Sequence, residues 1–108
     1  MKTFSPHDTI KTRSDFLLAN KAKKIAKPGF ILQIRQRGDD NPVRFGYTVT
    51  KKVGNAVVRN RTKRILREVT RLGITGKWDG YDIVLIGREA TRTRDFSLLL
   101  QDFKTATT

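Results

Sequence analysis

No glycine or proline interrupts residues 55–72, NAVVRNRTKRILREVTRL, and this stretch constrains the fold more than any other part of the chain. Its pattern is helical. At about 100° per residue, Val58, Thr62, Ile65, Val69 and Leu72 fall on one face, with Leu66 beside it. Asn60, Lys63, Arg64, Arg67 and Arg71 fall on the opposite face, and Arg59 and Arg61 flank the two seams. Asn55 is placed to cap the first free N–H groups. One face needs a core and the other needs anions.

With Lys51 and Lys52 ahead of the helix, residues 51–72 carry eight Lys/Arg against one acid, Glu68. Arg59/Lys63, Lys63/Arg67 and Arg67/Arg71 are like-signed pairs four residues apart, a spacing that destabilises an isolated helix. A solvated surface helix is the plain alternative, but surface helices ordinarily mix signs. Phosphates that neutralise the stack would make it stable. The chain as a whole has a formal net charge of +13, unevenly spread. Residues 1–27 carry seven bases and two acids, 28–50 three and two, 51–71 eight and one, and 72–108 five and five. The excess sits in the leading segment and the central helix, which favours a nucleic-acid footprint over a uniformly charged surface.

Other function classes are excluded by what is missing. There is no Cys, and the single histidine, His7, lies in a polar lead, so no nucleophile–base pair is available. The ten acids show no metal-ligand spacing. No catalytic residue, metal ligand or cofactor of the chain's own is expected. The lead has no apolar core of a secretory signal, and the longest apolar run, 83–86, is too short to cross a bilayer. The absence of Cys fits a cytoplasmic location. A length of 108 residues predicts one domain, 1–108, with flexible ends at 1–9 and 105–108.

In chain order, Ser14 caps a short predicted helix over 15–21, followed by a basic run ended by Pro28-Gly29. Residues 30–37 alternate as a half-buried strand, 38–42 read as a turn, and 43–50 form a second strand. So short a link predicts an antiparallel hairpin. On the second strand Phe45, Tyr47 and Val49 share one face, while Thr48 and Thr50 help form a shallow polar floor on the other. Gly73 and Gly76 are read as the stop of the basic helix, and Trp78 as a loop residue folded onto the domain edge, a stacking platform being the alternative. Residues 81–88, YDIVLIGR, read as a central strand buried on both faces, and 92–105 as a last helix with Phe96, Leu99, Leu100 and Phe103 inward. A helix-turn-helix is excluded, because a strand stands where its first helix should be. A single basic helix against a small sheet points to RNA.

The stretch 51–68, KKVGNAVVRNRTKRILRE, resembles the RNR signature of the bacterial ribonuclease P protein subunit family, with Arg59-Asn60-Arg61 at its centre. The resemblance extends over roughly residues 10–103, including Arg13-Ser14-Asp15-Phe16 and Gly80-Tyr81-Asp82-Ile83-Val84. It implies an α+β sandwich in the order αβββαβα. The sheet would be four-stranded and mixed, with a very short first strand at 24–26 and a left-handed βαβ crossover through the basic helix, as in some ribosomal proteins. It implies the function of that family, in which a catalytic RNA, with magnesium ions, removes the 5′ leader of precursor tRNA while the protein binds both RNAs. No membrane and no obligate protein partner are implied. By position, Lys51, Lys52, Arg59, Asn60, Arg61, Lys63, Arg64, Arg67 and Arg71 fall in the RNA-contacting set. Phe16 matches an aromatic of the leader-binding cleft, with a plain core role as its alternative. Asn20 and Gln33 stand where the family often carries further aromatics, which implies weaker stacking in a cleft completed by Thr48 and Thr50. A structural rRNA-binding protein is the rival reading.

Overall fold

The computed structural model describes residues 22, 24–76 and 78–107. Within them lie β1 (Lys24–Ala26), β2 (Phe30–Gln36), β3 (Arg44–Thr48), α1 (Ala56–Gly73), β4 (Tyr81–Gly87), α2 (Glu89–Thr93) and α3 (Phe96–Ala106). The short helix expected over 15–21 lies outside the described residues. The implied strand at 24–26 is present as β1.

The strands form one mixed sheet in the order β1-β2-β4-β3. The hairpin expected between β2 and β3 does not form. β4 lies between them, antiparallel to β2 and parallel to β3, so α1 carries the chain across from β3 to β4. Two physical reasons place β4 in the middle. Ile83, Val84 and Leu85 are fully buried, and a strand apolar on both faces gains most where it has a neighbour on each side. The register also sets Asp82 between Arg35 of β2 and Arg44 of β3. A β2–β3 hairpin would bring strands with outward arginines together, and like charges opposite one another destabilise a pair.

Asp82 is fully buried, and Arg35, Arg37 and Arg44 all pair with it. Arg37 Nη1 donates to its Oδ1 at 2.5 Å, and Arg44 donates from Nε to Oδ1 at 2.8 Å and from Nη2 to Oδ2 at 2.9 Å. Arg35 adds a longer contact to Oδ2 at 3.4 Å. Arg37 also holds Asp39 and the carbonyls of Tyr81, Asn41 and Pro42. Burial alone would lower the Arg37 pKa, but its bonds to Asp39 and Asp82 outweigh that and raise it. This network clamps the turn at 38–42 to the start of β3 and β4. Gly80 completes the clamp at φ +83°, and a Cβ there would strike the Asp39 carbonyl.

One face of the sheet carries Phe30, Leu32, Phe45, Val49, Ile83 and Leu85 against Leu66 and Val69 of α1 and Leu99 and Phe103 of α3. The buried stripe of α1 is Thr62, Leu66, Val69, Thr70 and Gly73. It is rotated from the expected Val58/Thr62/Ile65/Val69/Leu72 face: Leu66 is central and Leu72 is 48% exposed. Gly73 is the cause. It is the last residue of α1 rather than a stop beyond it, and a Cβ there would lie 2.8 Å from Phe103 Cδ2. The helix turns its glycine side toward α3 so that Phe103 can enter the core. Gly76, at φ +80°, makes the turn that Gly73 does not.

The predicted last helix is two helices. The Asp95 side chain accepts from Ser97 N at 3.1 Å and starts α3 afresh after α2. Residues 105–107, expected as part of a loose end, are helix and cap; Thr107 is buried and its hydroxyl donates to the Phe103 carbonyl at 2.8 Å. Trp78 behaves as the loop reading expects, its Nε1 donating to Thr75 O at 3.0 Å and its ring edge-on to Tyr81.

Candidate nucleic-acid interface

The α1 helix begins as its sequence requires. Asn55 is extended, and its Oδ1 accepts from Val58 N at 3.0 Å. No acid occupies the first turn, so nothing on the helix offsets the positive end of its dipole. Lys51 and Lys52 are exposed in the turn just before it. From that end, Asn60, Arg61, Arg64 and Arg67 lie exposed along the helix, with Lys63 half-buried beside them. Of the predicted set, Lys51, Lys52, Asn60, Arg61, Arg64, Arg67 and Arg71 are exposed, and Arg59 and Lys63 are half-buried.

Three members of the set differ from the rest. Arg59 is half-buried, and its Nε is buried without a hydrogen-bond partner, a state that costs free energy unless an acceptor arrives. Arg71 is paired with the one acid of the helix. Its Nη2 donates to Glu68 Oε2 at 2.6 Å and its Nε to Oε1 at 3.2 Å. That hydrogen bond lowers the Glu68 pKa and raises that of Arg71. Arg67 stands over the ring of Tyr47, its Cζ 5.5 Å from the centroid. The Tyr47 hydroxyl lies 2.7 Å from Thr70 Oγ1, which in turn donates to the Arg67 carbonyl at 2.9 Å. Sequence reading missed this support, although Tyr47 on the inner face of a strand and a threonine three residues after Arg67 were its visible signs.

The candidate cleft residues are placed unequally. Strand register sets Gln33, Val84 and Gly46 in one row and Ile31, Ile86 and Thr48 in the next, on the sheet face opposite α1. Gln33 and Thr48 therefore share a face. Thr48 is half-buried and Thr50 exposed. Gln33 is 1% exposed and its Nε2 donates to Ala22 O at 3.1 Å, so it reads as part of the floor's support rather than its surface. Phe16 and Asn20 lie outside the described residues. Among the described residues no group of His, Asp or Glu is arranged to hold a metal ion, and no helix is long and apolar enough to cross a membrane.

A small α+β domain that sets an unneutralised cationic helix beside a mixed sheet is, by fold and charge, a polyanion-binding protein. Comparison with known proteins narrows the class. The family model described as Ribonuclease P matches residues 4–108. The chain is 50% identical over 97 residues to the ribonuclease P protein component of Gluconacetobacter diazotrophicus, covering 88% of this chain and 84% of that protein. It is 46% identical over 108 residues to that of Caulobacter vibrioides, covering 94% and 72%. Among solved structures, the ribonuclease P protein from Thermotoga maritima superposes with a TM-score of 0.73 at 32% identity, over 93% of this chain and 94% of that one. The chain belongs to the ribonuclease P protein component family.

Proposed function

We propose that this chain binds the RNA subunit of ribonuclease P and the single-stranded 5′ leader of precursor tRNA, and so promotes removal of the leader by the RNA. The observation that carries the reading is the surface of α1, where Asn60, Arg61, Arg64 and Arg67 are exposed with Lys63 half-buried beside them, and Glu68, the only acid of the helix, is paired with Arg71. Lys51, Lys52 and Arg59 extend the same surface toward the helix N-terminus. Phosphates placed there release counterions and relieve repulsion among the like charges.

In this reading the protein contributes binding and positioning. Hydrolysis of the phosphodiester belongs to the RNA and to magnesium ions held by it, and the process takes place in the cytoplasm. The sheet face carrying Thr48, with Thr50 beyond its end, forms the floor for the leader, and the family resemblance adds Phe16 and Asn20 to the residues that bind it. The test is reconstitution of cleavage from precursor tRNA, a ribonuclease P RNA transcript and this protein at physiological magnesium. Protein-dependent cleavage at the 5′ end of the mature tRNA is expected. Recovery of the protein from cells with ribosomal RNA alone, together with no stimulation of cleavage, would overturn the proposal in favour of a structural rRNA-binding role.

A further inference from the structure

Two arginines on α1 are held in place by neighbours, in chemically opposite ways. Arg71 is held through its N–H groups, since Nε and Nη2 both donate to Glu68. Arg67 is held by a cation–π contact, its Cζ 5.5 Å from the centroid of the Tyr47 ring. A guanidinium's five donors radiate in its plane. A cation–π contact restrains the group without committing those donors to a protein carboxylate, as they are at Arg71.

The ring is itself anchored, and the direction of the anchor follows from counting protons. Thr70 has one hydroxyl proton, and it is given to the Arg67 carbonyl at 2.9 Å. The 2.7 Å contact between Tyr47 and Thr70 must then be a donation from the tyrosine to Thr70 Oγ1. Burial raises the Tyr47 pKa, which keeps that proton in place across ordinary pH. The loop is closed. Tyr47 donates to Thr70, Thr70 donates to the backbone of Arg67, and the Arg67 side chain returns over Tyr47.

We propose that Tyr47 and Thr70 are positioning residues for RNA binding, holding Arg67 in its phosphate-binding orientation before the RNA arrives. The inference rests on the RNA-binding reading above and adds residues that contact no RNA themselves. A free arginine loses rotamer freedom when it binds, whereas one already held against a ring loses less, so pre-ordering appears as affinity. It also explains why a half-buried tyrosine is bonded to a buried threonine between β3 and α1, where two apolar side chains would fill the space.

The test is a pair of double-mutant cycles on binding to a ribonuclease P RNA transcript. Tyr47→Leu is combined with Arg67→Ala in one and with Arg64→Ala in the other. Tyr47→Leu alone is expected to weaken binding by about three- to fivefold, the scale of a partly exposed cation–π contact expressed as affinity. In the Arg67→Ala background the same change is expected to do almost nothing, while in the Arg64→Ala background it keeps its full effect. Equal losses in both backgrounds would make Tyr47 a core residue only and overturn the inference. Binding unchanged by Tyr47→Leu in the otherwise native protein would overturn it as well. If Arg67→Ala itself leaves affinity and salt dependence untouched, the assignment of Arg67 to the RNA surface fails, an outcome distinct from failure of the positioning role. Tyr47→Phe keeps the ring and is expected to lose less than Tyr47→Leu. Should Tyr47→Leu fail to fold, the native protein supplies the decisive reading. Upfield ring-current shifts of the Arg67 side-chain protons are expected in its NMR spectrum, reduced in Thr70→Val. Random-coil positions for those protons in the native protein would overturn the inference.

Discussion

The arginines around Asp82 and those along α1 are the same chemical group put to opposite uses. Arg35, Arg37 and Arg44 converge on one buried carboxylate, and the Arg37 side chain is only 6% exposed. Their hydrogen bonds are directed inward, at Asp82 and the carbonyls of the neighbouring turn. Along α1, Arg61 and Arg64 stand exposed and Arg67 keeps its donors free over a ring. Where cations are matched by buried acid they close a fold. Where they outnumber acids on a long helix, they store repulsion that a polyanion relieves. Net charge alone does not separate the two uses. The location of the acids does.

The sharpest way to break this contrast is Asp82→Ala. It leaves buried or half-buried guanidinium groups without their carboxylate, and stability is expected to fall by roughly 3–5 kcal/mol, read as a shifted midpoint in urea denaturation. A loss under about 1 kcal/mol would place the network among ordinary surface ion pairs. Next in size are Arg64→Ala and Arg67→Ala. Each is expected to weaken RNA binding by roughly three- to tenfold and to reduce the salt slope by about one counterion, with stability within about 0.5 kcal/mol of the native chain. A melting temperature that drops with the affinity would show that these arginines also close the fold.

Arg71 tests the boundary between the two uses. Because its donors rest on Glu68, Arg71→Ala is expected to cost less RNA affinity than Arg64→Ala. Glu68→Gln is expected to tighten binding by about twofold at low salt, by removing the one competing anion. Equal effects of Arg71→Ala and Arg64→Ala would show that RNA displaces Glu68 freely.

The smallest effect is on pH. The hydrogen bond from Arg37 holds the Asp39 pKa below its ordinary value, and that from Arg71 does the same for Glu68. A carboxylate depressed in the folded chain stabilises fully above its unfolded pKa, near about 4, and loses that contribution as pH falls through the lower folded value. Asp39→Asn and Glu68→Gln are each expected to lower stability slightly at neutral pH, to converge with the native chain at acid pH, and so to flatten the acid limb. A loss of the same size at every pH would rule out this linkage.

Much of the interface was legible because helical signals are local. Asn55 as the cap, a helix running from it and the exposure of Asn60, Arg64 and Arg67 depend on residues within a few positions of one another. Long-range choices were less visible. The short link at 38–42 argued for a hairpin, and only the pairing of Asp82 with arginines on two other strands, together with the burial of Val84 on one face and of Ile83 and Leu85 on the other, placed β4 between β2 and β3. The continuous apolar pattern over 92–105 hid a break whose one local sign was Asp95 ahead of Phe96.

By itself the sequence determined the basic helix, its cap, the surplus of cations over acids on it, and the family signature that these residues carry. Tertiary structure decided which way that helix faces and which of its cations remain available. Gly73 turns toward Phe103 and rotates the buried stripe onto Leu66. Glu68 takes up Arg71, and Tyr47 with Thr70 supports Arg67. Such contacts depend on which side chains meet across elements distant in sequence, and helical periodicity carries no information about them.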